Sequence, residues 1–208
     1  MSVSVITVGG QSVSLVAMPA FPGMRTVEFE MDDAVGIVTS TFTGQVQAQQ
    51  WPGADMLRGT MTLPVLTEAN ADPWKAFLME LRGMANAFQI GDPLKTTPRG
   101  TGAGSPTVNG AQAAGSQSLA MSGFTGTAAL LPGDWVQIGY RFYCALEQQD
   151  SGTASVGIWP SLREALAGGE AVITSNTRGL FRLAENKRGW SADVTRLSQI
   201  SFKIQEYR

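Results

Sequence analysis

The chain contains no histidine and a single cysteine, Cys144, and only 15% of its residues are charged. Each scarcity removes a class of chemistry. Without an imidazole, the commonest general base and the commonest transition-metal ligand are both missing, and a Ser-His-Asp triad is excluded. A lone cysteine allows no disulfide within the chain. Cys144 stands in an alternating run with nothing basic beside it to lower its pKa, so a buried, inert thiol is expected. No window approaches the roughly 18 apolar residues needed to span a bilayer, and the first residues show no basic region followed by an apolar core. Membrane insertion and signal-directed secretion are therefore not expected.

Other familiar site patterns are also missing. No G-x-S-x-G elbow occurs, and a Ser-Lys arrangement would have to draw on Lys75, Lys95, Lys187 or Lys203, none of which lies in a motif. Gly100, Gly102 and Gly104 suggest a phosphate cradle, but no Lys-Ser/Thr pair follows them and no helix opens there. The acidic run Glu28, Glu30, Asp32, Asp33 lacks the Gly-and-carboxylate spacing of a calcium loop and reads as a solvated face. Neither catalytic residues nor a cofactor or metal site is expected.

Charge is sparse and unevenly spread around a net −2. Residues 1–98 carry five basic and nine acidic groups, 99–178 four and five, and 179–208 six and three. The basic tail is too small for specific nucleic-acid binding, which needs a clustered face meeting several phosphates. It is better read as the counterpart of the acidic N-terminal portion, in the same chain or a neighbouring subunit.

What the chain does have is a hydrophobic fraction of 43% and 24 glycines, which together favour a folded, mainly β architecture with frequent turns. Alternation predicts strands at 12–18, 25–31, 39–50 and 56–65, with Trp51-Pro52-Gly53 as the turn between the last two. Asp72 as N-cap and Pro73 at the first helical position predict one helix, with Trp74, Phe77, Leu78 and Leu81 on its apolar face and Gly83 at its end. Such a short helix must lie on a sheet to be stable. Phe88 to Ile90 is expected as a strand.

Residues 95–118 are poor in large apolar side chains and are expected to be a long extended connection. From Leu131 to Leu166 the chain reads as a compact β unit: the turn Pro132-Gly133-Asp134 precedes Trp135, Val136 and Ile138, and Phe142, Cys144 and Leu146 alternate. The turn at Asp150-Ser151-Gly152 leads to Val156, Ile158 and Trp159. A helical turn is expected at 161–167 and a strand at 171–174. Residues 197–207 alternate through Ile200, Phe202 and Ile204, and suit pairing with the N-terminal sheet. Residues 99–178 then become an insertion between two parts of one sandwich-like domain, 1–98 and 179–208. Of the five tryptophans, Trp74 and Trp135 read as core. Trp51, Trp159 and Trp190 are candidates for contact with a glycan through an aromatic face.

One ordered series of short motifs runs along residues 50–183. It comprises Trp51-Pro52-Gly53, the segment from Asp72 to Gly83, Phe88 with Gly91-Asp92-Pro93, Pro98-Arg99-Gly100, Val108 to Ala111, Pro132 to Trp135, Trp159-Pro160 and Leu162-Arg163. In this order they resemble the minor tail proteins of long-tailed, siphovirus-like bacteriophages, and more narrowly the distal tail protein that joins the tail tube to the tip. The resemblance implies a structural virion protein without enzymatic activity: a β-sheet belt domain bearing one helix, plus a peripheral small β-barrel of OB-like or galectin-like character. It further implies a homo-oligomeric ring, a hexamer, whose partners are the tail tube protein and the tail hub and other tip proteins. Assembly would occur in the host cytoplasm, with the tail tip as the final location. Residues 1–11 and 95–118 are then candidate inter-subunit arms. The acidic run 28–33, if it lined the channel, would repel passing DNA. The alternative is a receptor- or carbohydrate-binding module of the tail tip, with Trp159 and Trp51 as the contacts.

Overall fold

The computed structural model describes residues 2–192 and 196–208. Strands hold 44% of the chain and helix 6%, so the fold is mainly β with one short helix among the described residues. Residues 3–11 are held in a hairpin. Strand β1 (Val3–Val8) folds back on β2 (Gln11–Val16) as an antiparallel hairpin, and Val8, Val13 and Val16 bury their side chains. Met1 lies outside the described residues.

The expected strand at 39–50 is a hairpin instead. Strand β3 (Thr26–Asp32) runs into β4 (Val35–Thr39), the chain turns at 40–45, and β5 (Val46–Gln50) returns to β6 (Met56–Thr62). Ser40 causes the reversal. Its hydroxyl accepts hydrogen bonds from the backbone N–H groups of Phe42 and Thr43, and its own N–H donates to the Gln45 carbonyl. This Ser-centred turn competes with extended backbone and wins where no burial opposes it.

After β7 (Leu66–Thr67) comes the helix α1 (Glu68–Glu80), which begins four residues before the expected Asp72. Thr67 is its N-cap, and Pro73 lies inside it rather than at its first position. The missing N–H at Pro73 forfeits one helical hydrogen bond, but the helix is fixed by its buried stripe: Ala71, Trp74, Phe77 and Leu78 are buried, and Leu81 continues the stripe just past its end. Asp72 pairs with Lys75 at 3.1 Å instead of capping. The stripe packs on a curled half-barrel of strands that also contains β8 (Phe88–Ile90).

The segment expected to be a loose connection is part of a second β unit. It contributes β9 (Gly104–Val108), followed by β10 (Ser118–Leu119) and β11 (Met121–Phe124), which act as one bent strand. Strands β12 (Trp135–Ile138), β13 (Arg141–Ala145), β14 (Val156–Trp159) and β15 (Val172–Ile173) complete the unit. The circuit closes because β10 pairs with β14 while β11 pairs with β9, and a bridge from Thr107 to Ala171 joins β9 to β15. A small barrel results, with its own core built from Val108, Leu119, Leu130, Val136, Tyr143 and Ile158 among others. Residues 161–167 contain no helix; they are pinned extended by hydrogen bonds to residues 112–116 and to Asp55. The two ends of the barrel segment clasp each other, since Asn176 N–H donates to the Thr96 carbonyl at 2.6 Å.

The chain then returns through β16 (Gly179–Leu183), β17 (Trp190–Ala192) and the long β18 (Leu197–Glu206). As the alternation requires, β18 pairs with β6 and buries Ile200, Phe202 and Ile204, giving the sheet order β3-β6-β18-β16-β8. The segments 1–98 and 179–208 include Met1 and residues 193–195, which lie outside the described residues. The barrel rests on the sheet through Phe142, which belongs to the sheet's core cluster, while its neighbour Tyr143 faces the barrel core. Gly179 makes this approach possible, because a Cβ there would lie 2.7 Å from the Phe142 Cβ.

Candidate assembly surface and the ionic joint behind it

A buried ionic joint ties the barrel to the sheet. Asp55 follows the Trp51-Pro52-Gly53 turn, Ser161 and Arg163 follow β14, and Glu206 ends β18. Arg163 is held like a fork, donating from Nε to Glu206 Oε1 at 2.8 Å and from Nη2 to Glu206 Oε2 at 2.6 Å. Its Nη1 donates to Asp55 Oδ1 at 3.1 Å, and its Nη2 also reaches the Asp55 carbonyl at 2.6 Å. Asp55 further accepts the Ser161 N–H at 2.6 Å and the Ser161 hydroxyl at 2.7 Å, and Arg208 donates to the Asp55 carbonyl. Burial opposes the Asp55 carboxylate, but the two Ser161 hydrogen bonds and the Arg163 charge outweigh it and hold its pKa below the ordinary aspartate value. Burial likewise opposes the Arg163 cation, and Glu206 and Asp55 more than offset it.

A second joint fixes the start of the barrel. Asp134, fully buried, accepts backbone N–H bonds from Leu131 at 2.8 Å, Arg99 at 2.9 Å and Gly100 at 3.1 Å. Burial again works against the carboxylate, and these donors with the Arg99 guanidinium keep its pKa lowered. The motifs Trp51-Pro52-Gly53 and Leu162-Arg163 thus meet in one joint, and Pro98-Arg99-Gly100 meets Pro132-Gly133-Asp134 in the other. They work as structural couplings.

The most exposed apolar part of the molecule is the β4–β5 ribbon. Residues 34–50 contain no charged residue and no proline. Ile37 is 67% exposed, Val38 69% and Phe42, at the tip, 98%. Both outer edges of the ribbon are unpaired, since β4 and β5 pair only with each other. At its root, Trp51 lays its indole over Gly36, where a Cβ would lie 2.7 Å from the ring. Trp159 donates its indole N–H to Asp33 at 2.8 Å and packs against the sheet core.

Of the three tryptophans singled out for glycan contact, Trp51 and Trp159 both lie at the ribbon root, with different freedom. Trp159 is engaged on its N–H and partly buried, whereas Trp51 is 52% exposed and has one face covered by Gly36. Trp190 lies in β17 with the Lys75 ammonium 5.9 Å from its ring centre. The acidic run is also divided: Asp32 pairs with Arg58 at 3.1 Å and Asp33 holds Trp159, while Glu28 and Glu30 stay exposed on β3. Cys144 is half-buried, and burial together with the Asp134 charge raises its thiol pKa. Among the described residues no group of three or more His, Cys, Asp or Glu side chains is gathered so as to hold a metal ion. No described helix is long and apolar enough to cross a membrane.

Sequence reasoning missed Asp55 and Glu206, because their partners are brought together only by the fold. A signal was present in part. Glu206 interrupts the alternation at the buried end of β18, and an acidic residue there demands a cation. Compared with known protein families and with curated proteins, the chain matches none.

Proposed function

We propose that this protein is a structural ring component of a bacteriophage tail tip, of the distal tail protein kind, connecting the tail tube to the hub. The single observation that carries the reading is the uncharged β4–β5 ribbon with open edges and an exposed aromatic tip. Proteins that remain monomeric blunt such edges with lysine, proline or a covering element, and this one leaves them bare. The motif series quoted above supports the same reading, since its members couple a helix-backed sheet to a barrel in fixed relation. In this role the partners are further copies of the chain, in a six-membered ring, together with the tube and hub proteins. Electron microscopy of the purified protein tests it. Six-fold rings are expected; a monomer at every concentration up to the millimolar range would overturn the proposal.

A receptor- or carbohydrate-binding role is the second reading, favoured by the open face of Trp51 alone. It requires glycan binding that Trp51→Ala abolishes without loss of fold.

A further inference from the structure

The ribbon does not leave the sheet as a plain continuation of β3 and β6. Cross-strand pairing runs from Thr26–Thr62 to Asp32–Met56, stops, and resumes at Val35–Gln50. One leg across this gap is Asp33-Ala34, and the other is the longer stretch from Trp51 to Asp55. Unequal legs break the ladder and bend the pair, so the sheet's hydrogen bonds cannot carry its direction into the ribbon. Packing does not aim the ribbon either, since neither β4 nor β5 buries a side chain. A bond from the Trp51 N–H to the Ala34 carbonyl at 3.1 Å ties the legs to each other.

Both legs are held from the barrel. The Trp159 indole N–H donates to Asp33 Oδ1 at 2.8 Å on one leg. On the other, the Ser161 hydroxyl accepts the Gly53 N–H at 2.6 Å and donates to Asp55 Oδ1 at 2.7 Å. The Ser161 N–H adds a bond to Asp55 Oδ2 at 2.6 Å, and Arg163 Nη2 donates to the Asp55 carbonyl at 2.6 Å. Ile158 and Leu162, which flank and interleave these three residues, belong to the barrel core. A single stretch of chain thus anchors itself in the barrel and grips the ribbon at both roots.

We propose that residues 159–163 of the barrel clamp both legs of the β4–β5 ribbon and set the direction in which it projects, with Trp159 and Ser161 as the positioning residues. A displacement of the barrel against the sheet then swings the ribbon, and the seating of the barrel governs how the open edges are presented. The consequence for assembly rests on the ring reading, while the clamp itself is a property of the single chain. A ribbon fixed in advance loses less conformational freedom when it meets a partner.

The test uses the full chain in a Cys144→Ser background, with nitroxide labels at Phe42→Cys on the ribbon tip and Glu28→Cys on the sheet, both exposed. Labelled chain is diluted in excess unlabelled chain, so that pulsed electron paramagnetic resonance reads the distance within one molecule. A narrow distribution is expected. Asp33→Ala together with Ser161→Ala should widen it by about twofold. Asp33→Asn, which keeps an oxygen for the Trp159 N–H, should leave it narrow. An unchanged width in the folded double variant would overturn the inference, and so would equal widening by Asp33→Asn. Ser161 is buried and Asp33 exposed, so if a thermal melt shows the double variant unfolded, Asp33→Ala alone decides by the same widths. Widening with undiminished rings would overturn the clamp's role in assembly. Widening in a chain whose parent never self-associates keeps the clamp and removes the ring reading, whereas rings with an unchanged width remove the clamp and leave the ring reading standing.

Discussion

Asp55 keeps its charge in a place where burial favours losing it, and the cause is a set of donors arriving from a distant part of the chain. Because its pKa, like that of Asp134, is lower in the folded than in the unfolded state, both carboxylates contribute stability that is complete above about pH 4. That contribution is lost as the pH falls through the lowered values. A urea midpoint measured against pH should drop on the acid side, and Asp55→Asn should flatten part of that drop. Removing one partner of the joint leaves the other charge buried, so Arg163→Met is expected to cost about 3–5 kcal/mol by chemical denaturation. The tyrosine beside the joint shifts in the opposite direction: Tyr143, whose hydroxyl accepts the Arg163 N–H, has its pKa pushed up to about 12, first by burial. Cys144 should react slowly with thiol reagents in the native state and at the rate of a free thiol once the chain is unfolded in urea. A native rate equal to that of a free thiol would contradict its burial.

At the scale of elements, the ribbon and the helix illustrate opposite sources of order. Helix α1 exists because Trp74, Phe77 and Leu78 are buried, and Trp74→Ala should cost about 3–5 kcal/mol. The ribbon exists without burial. Replacing residues 36–49 by Asn-Gly keeps the cross-strand pair Val35–Gln50 and supplies a two-residue turn. The melting temperature should then move by no more than about 2 °C, and a larger loss would show that the ribbon supports the sheet. These differences also explain what could be read from the residues. The apolar stripe of α1 and the alternation of β18 were legible because burial imposes a period on the sequence. The helix start was not: Pro73 resembles a first-turn residue, and only the Leu66–Ser198 pairing fixes where the chain turns helical. The hairpin at 35–50 was hidden because an exposed ribbon is under no periodic constraint, so Ser40 was the sole local signal.

For the molecule as a whole, the two larger apolar cores are joined by Phe142 and by the joint of Arg163 and Ser161 with Asp55 and Glu206. Such coupling predicts a single calorimetric transition for the intact chain. Arg163→Met should divide it into two, and a single transition in the variant would mean that the Phe142 contact and the remaining bonds from Ser161 to Asp55 and from Trp159 to Asp33 suffice. The barrel's closure was concealed in a stretch that looks like linker, since Gly104 to Val108 is too small-residued to announce a strand and becomes one only because β11 and Ala171 flank it.

The clasp between Thr96 and Asn176 makes the barrel separable from the path of the chain through the sheet. Because the chain leaves the sheet and re-enters it at one point, the intervening barrel can be exchanged as a cassette without lengthening any path through the sheet. What a replacement must supply is an aromatic ring to lie against Gly179, a guanidinium to bridge Asp55 and Glu206, and donors for Asp55 and Asp33 in place of Ser161 and Trp159.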